Sequence, residues 1–274
     1  MPAEHTLEEF AQQVRDRFGL DAVELCQIQF DESSPERVDR LKSSLDNAGV
    51  RVLTVPIDVG DLSSDNAGHR EEDVAAITRW LDIAQALGAR YVRVNTGTPH
   101  ANGPSDNIDG LVTALSTLAD ASRRRGLELL IENHGGASSD PEYLLEVQRR
   151  VGSDKVGILL DLGNFEPVNQ VSMARMLGTE VDDMNIDTEP VYERIARLAP
   201  VASLVHAKAY DPRSDGSPLL DLDRALGVVA AAGYAGSISI EWEGQQGDPW
   251  IRTQETLDAV RRAFPVLAGA LQSA

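Results

Sequence analysis

The feature that most constrains this chain is a steady alternation of two kinds of segment. Short apolar runs at 22–25, 50–55, 91–95, 128–131, 156–160, 201–205 and 237–240 read as buried strands. Between them lie segments with helical periodicity at 6–18, 34–48, 71–87, 111–125, 141–151, 189–198, 219–232 and 250–264, with a further short helix expected near 170–177. Several carry their own start and stop signals. Thr6 with Glu9 has the spacing of a capping box, and Gly19, Gly49, Gly88 and Gly126 stand where helices should end. Strands alternating with helices through short connections imply a parallel sheet covered by helices. No Gly-x-Gly-x-x-Gly opens a helix, so a dinucleotide-binding sheet has little support. The expected fold is therefore α/β, a (β/α)₈ TIM barrel over residues 1–274 as one domain. Seven strands are counted where a barrel takes eight, and the chain opens on a helix, so the barrel is expected to lack its first strand. A misplaced or truncated start is the favoured explanation, and an incomplete barrel would favour homo- or hetero-oligomers.

Chemistry in such a barrel sits at the C-terminal ends of the strands. Four successive runs end LLIE, ILLD, SLVH and ISIE, which place Glu132, Asp161, His206 and Glu241 at strand ends. Three carboxylates and one imidazole form a hard, oxygen-rich donor set suited to a divalent cation with positions open for substrate oxygens. Mn²⁺ is the first choice, with Mg²⁺, Co²⁺ and Zn²⁺ as alternatives. Around them, His134, Lys208, Asn164 and Arg93 are candidates to bind substrate. His134 lies two residues beyond Glu132 and Lys208 two beyond His206, each on the same strand face as its neighbour. Lys208 is one of only three lysines.

Charge narrows the partners. With 44 acidic against 25 basic residues the net charge is −19, which argues against nucleic acid and against anionic membrane surfaces. No apolar run approaches the roughly 20 residues of a membrane span, and no signal peptide is legible, so a cytoplasmic location is expected. The single cysteine, Cys26, rules out an internal disulfide and reads as a packing residue.

The motifs VEL at 23–25, IENH at 131–134, LDLGN at 160–164, HAK at 206–208 and IEWEG at 240–244 resemble the xylose isomerase-like barrel superfamily of sugar phosphate isomerases and epimerases. The resemblance runs from Thr6 to Phe264. It implies one divalent metal held by Glu132, Asp161, His206 and Glu241, and a small-molecule sugar as substrate. It further implies proton transfer by Glu132 and Glu241 through an enediolate, giving an isomerase or epimerase of a keto sugar or related polyol. Two departures stand out. Many ketose epimerases of this family have a histidine three residues after the metal aspartate, where this chain has Asn164. They often have an arginine six residues after the metal histidine, where this chain has Pro212. These departures keep open a lyase, either an inosose-type dehydratase or a β-elimination from a 3-keto-glycoside or C-glycoside. A non-catalytic partner subunit of a heteromeric enzyme is the alternative from another class. Only five histidines and the acidic balance set aside the family's DNA-repair branch.

Overall fold

The computed structural model describes residues 5–30, 34–97 and 108–265. Helices and strands follow in the order α1 (Leu7–Phe18), β1 (Ala22–Glu24), α2 (Pro35–Ala48), β2 (Arg51–Ile57), α3 (Ala67–Leu87), β3 (Tyr91–Val94), α4 (Ile108–Arg123) and β4 (Glu128–Glu132). They continue with α5 (Pro141–Val151), β5 (Val156–Asp161), α6 (Val168–Met176), α7 (Glu189–Leu198), β6 (Ala202–Ala209), α8 (Leu222–Ala231), β7 (Ile238–Trp242) and α9 (Pro249–Ala263). All seven strands are parallel where their registers are defined, and strand order follows chain order. This is the expected alternation of a TIM barrel, with seven strands among the described residues. No helix among those residues is long and apolar enough to cross a membrane.

By compactness the chain falls into two units. Residues 1–132 with 145–157 form the first, and 133–144 with 158–274 the second. In the first unit, β2, β3 and β4 are buried almost throughout, the mark of strands covered on both faces. Val55, Ile57, Val92 and Ile131 are completely shielded, and so are Leu81 of α3 and Leu115 and Leu118 of α4. In the second unit the core gathers Leu159, Leu160, Phe165, Ile195, Leu204, Val205 and Leu226, again fully buried.

Element boundaries moved where side chains cap them. The helix expected from 71 begins at Ala67, because the Asn66 side chain accepts hydrogen bonds from the Gly68 and His69 N–H groups. Asp221 likewise caps α8 by accepting from Arg224 N–H, so that helix starts later than the expected 219. The strand expected to stop at 205 runs on to Ala209. Its last turnless residues include His206 and Lys208, whose polarity hides the strand from a hydrophobicity reading. Residues 98–107, between β3 and α4, lie outside the described residues.

Burial sets the expected cost of disturbing this core. Leu81→Ala should lower the unfolding free energy by about 2–5 kcal/mol, read from urea denaturation. A loss below about 1 kcal/mol would show that α3 does not pack as described.

Candidate metal centre

Register builds the centre in the second unit. Asp161 at the end of β5 pairs with His206 of β6, and Lys208 of β6 pairs with Glu241 of β7. Side chains two apart on a strand share a face, so His206 and Lys208 point the same way. The result is a compact cluster. His206 Nδ1 lies 3.7 Å from Asp161 Oδ2 and 3.4 Å from Glu241 Oε1. Lys208 Nζ lies 3.0 Å from Asp161 Oδ2, 3.0 Å from Glu241 Oε2 and 3.1 Å from Glu243 Oε1. It also donates to Asn164 Oδ1 at 3.1 Å.

Asp161 is fixed by backbone donors and by a neighbouring side-chain amide. Its Oδ1 accepts from Gly163 N at 2.7 Å and Asn164 N at 3.1 Å. The Asn133 amide brackets its main chain, accepting from Asp161 N at 2.8 Å and donating to Asp161 O at 2.7 Å. Asn133 is fully buried and was not among the expected site residues. The signal available was its position between Glu132 and His134: alternation turns it away from them, toward the neighbouring backbone. His134 sits in a turn where its N–H donates to Ser138 Oγ at 2.7 Å and the Ser138 hydroxyl donates to Gly135 O. Asn164 O accepts from Ser139 Oγ, tying the turn after β5 to the same segment.

The electrostatics follow from burial. Asp161 is wholly inaccessible, and burial by itself would raise its carboxyl. The Lys208 ammonium, with help from His206, outweighs burial and holds Asp161 well below the usual carboxylate range. Burial opposes the charge on Lys208 as well, but Asp161 and Glu241 beside it carry its pKa well above the ordinary lysine value. Glu241, about a third exposed, is lowered because Lys208 and His206 outweigh its desolvation. Glu243 moves the other way: burial raises it, and the like charges of Glu241 and Asp161 add to that against the pull of Lys208.

The donors fit a hard divalent ion. Ligand bonds of about 2.1 Å in an octahedral shell put neighbouring donor atoms about 3.0 Å apart and opposite ones about 4.2 Å apart. The 3.4 and 3.7 Å separations from His206 Nδ1 fall in that range. Asp161, His206 and Glu241 could hold such an ion, with Lys208 neutralising what charge remains.

In the first unit, Glu132 at the end of β4 is buried and ion-paired to Arg93, whose Nε lies 2.8 Å from Glu132 Oε2. Arg93 is itself buried and is occupied further by Asp58 and by Asn95 Oδ1 at 3.0 Å. Burial opposes its charge, but Glu132 and Asp58 raise its pKa above the ordinary arginine value. The Cys26 thiol donates to Asp58 Oδ2 at 3.1 Å, and burial with the Asp58 charge pushes it up to about 12. A thiol so placed is held in its protonated form.

Comparison with known proteins agrees with this architecture. A family model described as a xylose isomerase-like TIM barrel matches residues 12–263. No protein of curated function matches the chain in sequence. Among solved structures, an L-ribulose 3-epimerase is 17% identical with a TM-score of 0.71, covering 100% of this chain and 94% of its own. A 3-keto-D-glucoside 4-epimerase from E. coli is 17% identical with a TM-score of 0.67, covering 94% and 95%. A xylose isomerase-like TIM barrel protein from Mycobacterium smegmatis, in complex with magnesium, is 18% identical with a TM-score of 0.65, covering 93% and 88%. At these identities the likeness establishes the fold.

Lys208 sets a pH test on metal-free protein. In the wild type the lowered Asp161 contributes stability that is present above its unfolded value of about 3.9 and lost as pH falls through the folded value. In Lys208→Met the largest influence opposing burial is removed and only His206 and the backbone donors remain, so the folded value of Asp161 is expected to rise above the unfolded one. The variant should then lose stability as pH rises through that raised value, reaching a deficit of about 3–5 kcal/mol near neutrality. Urea denaturation in EDTA between about pH 4 and 8 reads both curves; parallel curves would remove Lys208 as the compensating charge.

Proposed function

The chain belongs to the xylose isomerase-like TIM barrel family, and on that premise we propose that it is a divalent-metal-dependent isomerase or epimerase of a keto sugar or related polyol. The observation that carries this reading is the meeting of Asp161, His206 and Glu241 donor atoms in the C-terminal halves of three successive strands. The sugar epimerases of like fold supply the substrate class, and the magnesium-bound relative supplies the class of metal. Glu132 is assigned as the fourth ligand on the motif resemblance to the family. The oxygen-rich donor set favours Mn²⁺ over Zn²⁺.

A divalent ion bound there would act as a Lewis acid on a C–OH/C=O pair of the sugar and acidify the carbon beside it. The chain's own residues do the rest. Glu241, lowered by Lys208 and partly exposed, is assigned to take or return a proton at that carbon. Glu132, ion-paired to Arg93, is assigned as the second proton carrier. Return of the proton to the opposite face gives an epimer; return to the neighbouring carbon gives an isomer. Lys208 supplies fixed positive charge next to the oxygen where negative charge develops. Asn164 and His134 are assigned to hydroxyl groups of the sugar, and Arg93 to the support of Glu132.

Two measurements test the reading. With Mn²⁺, solvent deuterium should enter recovered keto sugar without release of water or an aglycone; stoichiometric release of either would establish a lyase. Wild-type protein should bind one Mn²⁺ by calorimetry, while His206→Ala and Asp161→Ala should abolish binding and keep their circular dichroism. Undiminished metal content in either variant would remove the ligand assignment, and a wild type that binds no Mn²⁺ would favour a non-catalytic subunit.

A further inference from the structure

Glu243 stands just beyond β7 and has no role in the chemistry assigned above. Its backbone is held on both sides. Its N–H donates to Ala209 O at 3.0 Å, which carries the pairing of β6 and β7 past Trp242. The turn after it closes on Asp211, whose carboxylate accepts from Gln245 N at 2.8 Å and Gln246 N at 2.9 Å. Gly244 makes that closure possible, because a Cβ there would stand 2.0 Å from Trp242 Cζ2 and 2.6 Å from Asp211 Oδ1.

So placed, Glu243 reaches Lys208. Lys208 Nζ donates to Glu243 Oε1 and to Asn164 Oδ1, each at 3.1 Å. Asn164 is as firmly set. Its N–H donates to Asp161 Oδ1 and its O accepts from Ser139 Oγ. Gly163 beside it leaves room for the Tyr210 ring, which a Cβ would meet at 2.5 Å. Asp161 Oδ2 and Glu241 Oε2 are no farther from Nζ, at 3.0 Å, yet neither accepts a well-directed hydrogen bond. An ammonium carries three donors in a fixed tetrahedral spread, so the partners of some decide where the others point. Lys208 thus lends its charge to Asp161 and Glu241 while Glu243 and Asn164 take its protons. What a divalent ion needs from a carboxylate is an oxygen lone pair left open.

We propose that Glu243 is a positioning residue of the metal centre: with Asn164 it takes the Lys208 protons and so leaves Asp161 Oδ2 and Glu241 Oε2 open to a divalent cation. The proposal rests on the metal-dependent reading of the same site. Without the Glu243 acceptor, the released N–H turns to the two oxygens already 3.0 Å away. A charge-assisted hydrogen bond there competes with the ion for the same lone pairs.

Glu243→Ala removes the acceptor, whereas Glu243→Gln keeps an accepting oxygen without the charge. Mn²⁺ binding to each is measured by calorimetry, alone and combined with Lys208→Met. Glu243→Ala should bind Mn²⁺ about tenfold more weakly than the wild type. Glu243→Gln should stay within about threefold of the wild type. In the Lys208→Met background, Glu243→Ala should change Mn²⁺ affinity by less than about twofold, because no ammonium is left to redirect. A Glu243→Gln as weak as Glu243→Ala would overturn the proposal, since loss of charge would then account for both. So would an equal loss from Glu243→Ala with and without Lys208, or no loss at all. The Glu243→Gln comparison decides the matter even where Lys208→Met fails to fold. A wild type that binds no Mn²⁺ would refute the metal-dependent reading and this proposal together; each of the other failures leaves the metal-dependent reading in place.

Discussion

The Lys208 ammonium is the interaction on which the second unit depends. Two carboxylates of the cluster are within 3.0 Å of it and a third within 3.1 Å. Asp161 has no access to water at all. An uncompensated charge in that position would cost several kcal/mol or be lost to protonation. One cation on β6 answers carboxylates from β5 and β7, so the three strands can carry these clustered acids and stay folded. Arg93 does the same service for Glu132 in the first unit, from β3 to β4.

Charge alone would leave those side chains free to rotate, and backbone contacts prevent it. Asp161 is gripped through both its main chain and one carboxylate oxygen, by Asn133 and by the turn at Gly163 and Asn164. That leaves Oδ2 directed toward His206 and Lys208. Rigid placement of this kind suits a metal ligand, because a preformed donor set gives up little conformational freedom when the ion binds. Gly163 has a double duty: its N–H holds Asp161, and its missing side chain admits Tyr210.

Much of this was legible in the residues. The four acid-or-imidazole strand ends stand out because each directly follows an apolar run, and the alternation of strands and helices needs only local periodicity. Asn133 and Tyr210 were not legible. An amide beside a metal-ligand motif and a tyrosine opening a loop are ordinary residues until the neighbouring strand is known. Lys208 and Arg93 were legible as polar residues near a mouth, but not as charges already committed to carboxylates. Their partners lie 33 to 47 residues away for Lys208 and 35 and 39 away for Arg93, beyond any sequence period.

The sequence by itself determined the fold class and which acids and imidazole follow the apolar runs. Helix and strand periodicity, capping residues and the end of each apolar run are written within a few residues of one another. The tertiary structure decided what each donor faces. A parallel register that pairs Asp161 with His206 but Lys208 with Glu241 is set by packing between strands far apart in the chain, and that offset is what turns a row of polar strand ends into one cluster.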